Sequence, residues 1–269
     1  MDKSGGIIGL TEWLQTPAGR YVLEWEQWHL DGAVADLFGY HALQLGLPEL
    51  DALRANRMPH RWVATDLGEA AGGVEALPRC AVALHCEFDA LPFDSQSLDL
   101  VVLPHGLEQA HNPHQALREV ERVLVPEGRV VIVGFNPTSL WGLRQSFGHL
   151  RKRLSRGKPR RLFLPSSGEF LGHRRLRDWL RLLSFEVETG RYGCYRPPLL
   201  SQKWMTRLAW MDQAGERWWP VFGAVYFVVA VKKVRGMRLV GLVPAKRAVP
   251  KAAPAVAVNQ NHLIGKEKP

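Results

Sequence analysis

Three ionisable side chains crowd one short stretch of the chain, PHGLEQAHNP: His105, Glu108 and His111. An imidazole with an ordinary pKa near 6.5 is suited to taking a proton from a hydroxyl or an enol near neutral pH. A general base among these three is therefore one expectation. The other is structural: His105 packs beside a ligand while Glu108 and His111 cap the helix that follows. Loop spacing alone does not define a metal centre, and no metal is expected. Two other chemistries lack their motifs. There is no GxSxG turn for Ser-His-Asp hydrolysis, and no GxGxxG follows the first strand, which disfavours a dehydrogenase.

The elements that must position these residues can be read from punctuation and periodicity. Thr16-Pro17 is a helix start, a hydroxyl cap followed by proline at the first helical position, and predicts an amphipathic helix over 17–37. ALQLGL at 42–47 is a short apolar run stopped by Gly46 and Pro48, so a buried strand. A short helix is expected over 49–57, a second strand over 61–66 ending on Asp66, and a third over 81–88. LDLVVL, 98–103, has the continuous apolar character of a parallel strand covered on both faces. Asn112 and Pro113 open a helix over 112–124, and RVVIVGF, 129–135, is a fifth strand. A helix is expected over 173–185, with Leu176, Trp179, Leu180 and Leu183 inward, followed by two closing strands. This alternation predicts a doubly wound, mostly parallel α/β sheet. Such sheets bind ligands beyond the carboxyl ends of the strands, where strand order reverses.

The chain has 269 residues, 46% of them hydrophobic, and a formal charge of +9. That composition excludes collagen, coiled coil and wholesale disorder. No apolar run is long enough for a spanning helix, and no secretory signal is recognisable at the N-terminus. Three cysteines without a CxxC give neither a disulfide framework nor a zinc site, so a cytoplasmic location is expected. The charge is concentrated. Seven basic residues and no acid fall in Arg151–Arg161, and the tail from Arg235 carries +6. Either block could attract nucleic acid, anionic lipid or an acidic carrier protein, or could be a solvated loop and a disordered tail. The domain reading is an N-terminal helical segment over 1–38, an α/β domain over 39–234 with insertions at 137–172 and 197–224, and a basic disordered tail over 235–269. Tyr192, Tyr195, Trp204, Trp210, Trp218 and Trp219 crowd the C-terminal third, as the lining of an apolar substrate pocket or as the core of a cap.

Three spaced motifs coincide with these elements: Asp89-Ala90-Leu91-Pro92-Phe93 before the fourth strand, Leu98-Asp99-Leu100-Val101-Val102 as that strand, and Arg122-Val123-Leu124 with Pro126-Glu127-Gly128 before the fifth. In these motifs the segment 89–137 resembles the class I S-adenosylmethionine-dependent methyltransferases, closest to the small-molecule type of ubiquinone- and biotin-pathway enzymes. The resemblance implies a seven-stranded Rossmann-like methyltransferase sheet with helices on both faces, and S-adenosyl-L-methionine as cofactor. It implies that Asp89 accepts from the adenine amino group, that Ala90 and Leu91 line the base with Phe93, and that Asp66 holds ribose hydroxyls. Gly46 would then let the backbone approach the cofactor, and His105 would lie beside it. The first loop departs from the family pattern. Gln44 replaces an acid, Leu47, Pro48 and Glu49 replace small residues, and Glu127 stands where glycine is usual.

The function implied is methyl transfer to a small-molecule or carrier-linked acceptor. A methyltransferase-like binding or regulatory module without catalysis is the alternative that the altered first loop suggests. A third is an RNA methyltransferase, suggested by the basic run Arg151–Arg161.

Overall fold

A computed structural model describes residues 8–67, 80–154, 163–164, 170–199 and 201–233. The basic tail over 235–269, most of the Arg151–Arg161 run and most of the connection between the expected second and third strands lie outside the described residues.

Two helices come first: α1 (Ile8–Leu14) and α2 (Pro17–Val34). Thr16 caps α2 as its sequence dictates, its hydroxyl oxygen accepting from the Gly19 N–H at 3.1 Å. Seven strands follow: β1 (His41–Leu45), β2 (His60–Thr65), β3 (Leu84–His85), β4 (Leu98–Pro104), β5 (Leu124–Phe135), β6 (Phe185–Gly193) and β7 (Val225–Lys232). They form one sheet in the order β3-β2-β1-β4-β5-β7-β6. All neighbours pair in parallel except at β7, which runs antiparallel to both β5 and β6. Strand order reverses between β1 and β4, so the crevice that such sheets use lies beyond Leu45 and Pro104.

Helix α3 (Gly106–Gln109) is a single turn directly after β4, and α4 (Pro113–Val123) follows with Asn112 as its cap. Downstream come α5 (Leu140–Leu154), α6 (His173–Leu182), α7 (Gln202–Arg207) and α8 (Trp210–Trp218). Side chains of β4 divide between two apolar layers. Leu100 and Val102 join α1 and α2 on one face, while Leu98, Val101 and Leu103 join α4 and α6 on the other. This period-two division explains why the strand reads as uninterrupted apolar sequence.

Three expectations are corrected. Residues 49–57 form turns, not a helix. Side-chain bonds replace the helical ladder there: Gln44 donates to the Leu50 carbonyl and accepts from the Ala52 N–H, and Arg61 donates to the carbonyls of Leu53 and Asn56. The third strand shrinks from 81–88 to Leu84–His85. The connection at 137–172 opens with a regular helix, α5. As expected, Leu176 and Leu180 of α6 are buried, and Trp179 and Leu183 pack half-buried against the same apolar layer.

Glu127 sits in the left-handed region at φ 63°, inside the irregular turn of β5. That geometry accounts for glycine being usual at this position, since a Cβ is disfavoured there.

Candidate active site

The crevice between β1 and β4 is built on two buried polar side chains. The first is Gln44, on β1 and wholly buried. Its Nε2 donates to the carbonyls of Gly46, Leu47 and Leu50 at 3.1, 3.0 and 2.7 Å, and its Oε1 accepts from the Ala52 N–H at 3.0 Å. A carboxylate has no hydrogen to give three carbonyls; an amide has two. The first loop therefore folds around a donor. Leu47 and Leu50 turn into the apolar layer shared with α1 and α2. Gly46 takes φ +86°, and a Cβ there would lie 2.7 Å from Gln109 Oε1. Both amide atoms of Gln109 are buried and unpartnered.

The second is His105, which directly follows β4 in a left-handed conformation at φ 55° and is wholly buried. Its Nδ1 lies 3.0 Å from Glu108 Oε2 and its Nε2 2.8 Å from Glu26 Oε1. Glu26 arrives from α2, 79 residues earlier in sequence. Two acceptors flanking one imidazole require both nitrogens to donate, which defines an imidazolium. Burial opposes that charge, but Glu26 and then Glu108 outweigh it and push the His105 pKa up to about 10. Burial also raises the Glu108 carboxyl, against the lowering effect of His105. Glu108 Oε1 accepts from the Phe135 N–H at 2.5 Å, and the Phe135 ring lies 4.4 Å from the imidazole. Gly134 is required here. A Cβ would meet the Tyr226 hydroxyl at 2.5 Å and Glu108 Oε1 at 3.0 Å.

The remaining sequence-derived residues fall along the same edge of the sheet. Asp66 follows β2 directly and is half-buried. Asp89 occupies a turn four residues past β3, also half-buried, with Ala90 exposed and Leu91 buried. That turn is gripped from α4: Glu119 accepts from the Leu91 N–H at 3.0 Å, while Arg122 donates to the carbonyls of Leu91 and Phe93 at 3.0 and 2.8 Å. Among the described residues the Asp89 carboxyl engages no donor, whereas Asp66 has a partner.

The structure thus brings His105 and Glu108 together and leaves His111 exposed, outside the cluster. Among the described residues, no group of His, Cys, Asp and Glu is arranged to hold a metal ion. No helix described is long and apolar enough to cross a membrane. Sequence reasoning passed over Glu26, although it stands between Val22 and Leu30 at spacing four, on the apolar stripe of its helix. An acid in that row is the signal that could have found it.

The order β3-β2-β1-β4-β5-β7-β6, with its reversal between β1 and β4, is the seven-stranded Rossmann-like sheet that the motif resemblance implies. Comparison with known proteins agrees. Residues 51–132 match the family described as "Methyltransferase domain", a match that begins just past the rebuilt first loop. Over that stretch the chain is similar to S-adenosylmethionine-dependent methyltransferase domains, including those of the UbiE type. It is 41% identical over 97 residues to "Uncharacterized protein YafS" of Escherichia coli, covering 36% of each chain. It is 44% identical over 52 residues to "Ubiquinone/menaquinone biosynthesis C-methyltransferase UbiE" of Hahella chejuensis, covering 19% of this chain and 21% of that one. It is 37% identical over 73 residues to "Malonyl-[acyl-carrier protein] O-methyltransferase" of Halorhodospira halophila, covering 27 and 24%. The matches thus span about a third or less of these relatives' lengths.

Proposed function

We propose that this chain is an S-adenosylmethionine-dependent methyltransferase acting on a small-molecule or carrier-linked acceptor. The observation that carries the reading is a row of polar groups along one sheet edge: Asp89 beyond β3, Asp66 beyond β2, Gly46 beyond β1 and Gln109 beyond β4. Four adjacent strands span about 14 Å at roughly 4.8 Å per step, the reach of an extended nucleoside joined to an amino acid.

The residues fit that cofactor. A glycine whose Cβ position is already filled and a buried amide with no partner are what a ligand's close approach and polar end require. Asp89 would accept from the adenine amino group, Leu91 with Ala90 would border the base, and Asp66 would hold ribose hydroxyls. Gly46 and Gln109 would take the amino-acid end. When bound, S-adenosylmethionine supplies an electrophilic methyl group on a sulfonium centre.

His105 has no lone pair with which to take a proton while Glu26 and Glu108 flank it. In this reading its role is positioning: it ties the loop after β4 to α2. Three free thiols, two of them buried, fit a reducing compartment such as the cytoplasm.

Isothermal titration with S-adenosylmethionine and with its demethylated product is the test. Binding to the wild-type chain, weakened by about 1–3 kcal/mol in Asp89→Ala, is the expected result, the usual cost of an unpaired polar partner. No heat from folded wild-type protein refutes the reading, and an unaffected D89A variant moves the adenine subsite elsewhere. One observation favours a second reading, a binding module without turnover: Gln44 has replaced the family's acid. Transfer of labelled methyl to any acceptor in a cell extract removes that alternative.

A further inference from the structure

Three tryptophans that the sequence offers as pocket lining or cap core are not buried in a core. Trp204, Trp210 and Trp218 expose 52, 61 and 76% of their surface, and Phe222 exposes 51%. The scaffold beneath them is fixed. Met205 is buried, Gly215 presses so closely on Tyr195 that a Cβ would lie 2.3 Å from its ring, and the Tyr195 hydroxyl donates to the Pro220 carbonyl at 2.8 Å. Arg196 pairs with Asp212 at 2.9 Å and locks α8 to the segment that enters α7. These rings are therefore held outward on ordered helices, where each costs hydration free energy.

The neighbouring helix repeats the pattern. Trp141 of α5 is buried and donates from Nε1 to the Arg196 carbonyl at 2.7 Å, while Leu143 and Phe147 of the same helix face solvent, 46 and 62% exposed. Cations are interleaved with the rings: Lys203, Arg207 and Arg217 are all exposed, and the Arg207 guanidinium lies 5.7 Å from the Trp204 ring. The acids of α8 are Asp212, already paired with Arg196, and Glu216.

We propose that α5, α7 and α8 with the turn at Pro220–Phe222 form a docking surface for an anionic lipid bilayer. Outward tryptophan and phenylalanine beside lysine and arginine is the composition of helices that lie in a membrane interface. Rings enter the headgroup boundary and cations meet lipid phosphates. A protein partner would satisfy the rings equally well, but the excess of unpaired cations around them selects an anionic surface. This surface stands apart from the methyl-transfer reading and does not depend on it.

The test is co-sedimentation of the full chain with vesicles of phosphatidylcholine alone and with about one-third phosphatidylglycerol. The wild-type chain is expected to partition into the anionic vesicles. A variant carrying Trp204→Ser, Trp210→Ser, Trp218→Ser and Phe222→Ser is expected to lose about tenfold or more in partitioning. All four positions are exposed, and an unchanged melting temperature verifies that the variant folds. No sedimentation of the wild type overturns the proposal. So does binding that salt abolishes and the four substitutions leave unchanged, which would assign it to the basic segments alone. Self-association of the wild type that the substitutions remove, without vesicle binding, would show that a second copy covers the face and also overturns it.

Discussion

Two polar side chains, wholly buried on adjacent strands, hold the two sides of the crevice in opposite ways. Gln44 on β1 is neutral and satisfies four backbone groups of its own loop, all within eight residues. His105 at the end of β4 is cationic and bridges two carboxylates, one of them 79 residues away. The first arrangement is local and does not titrate. The second is long-range, and its strength rests on charges kept from water. One side of the site should therefore ignore pH, while the other should respond to it.

The largest effect that could break this contrast comes from Glu26→Ala. It leaves the imidazolium with one carboxylate in a sealed site, and a loss of about 3–5 kcal/mol in denaturant unfolding is expected. Its pH dependence sharpens the point. The folded pKa of His105 is raised to about 10, so its stabilisation is fully present below about pH 6.5 and is lost as pH climbs toward 10. Melting temperatures from pH 6 to 10 should fall in the wild type and fall less in Glu26→Gln. Parallel curves would show that the cluster does not titrate in that range.

Gln44→Glu comes next. It restores the family's residue type, yet sets acceptors against the carbonyls of Gly46, Leu47 and Leu50. A destabilisation of about 2–4 kcal/mol is expected from the lost bonds and the buried charge. Wild-type stability in this variant would mean that the loop can re-form around an acid. The smallest effect is Glu127→Gly, which relieves a left-handed residue while giving up an exposed ion pair with Lys233. A net gain of about 0.5–1 kcal/mol is expected in thermal unfolding; a loss would show the ion pair to be the stronger of the two.

The same contrast explains what the sequence made legible. Helices α2 and α4 announce themselves through Thr16-Pro17 and Asn112-Pro113, because capping is a local interaction. Strands β4 and β7 and the later half of β5 are legible because both faces are covered, so each reads as a run of apolar residues. The segment 49–57 has helical composition, but side chains outside it, Gln44 and Arg61, bond its backbone, and its own Asn56 side chain is tied to the end of α2. No local rule reveals that. The pairing of His105 with Glu108 lies within one turn and could be anticipated; the pairing with Glu26 depends on where α2 lands against the sheet. The tryptophans misled for a different reason. Composition says that such residues prefer burial, and it cannot say which of them the fold leaves exposed.

Glu26 also changes what counts as the smallest self-sufficient piece of this chain. The family match covers residues 51–132, well clear of α2. A fragment trimmed to those borders would lack β1 with its Gln44, expose the sheet face that Val22, Leu30 and Val34 cover, and strand a cation that two acids now share. The region that makes the protein recognisable is thus narrower than the region that makes it stand up.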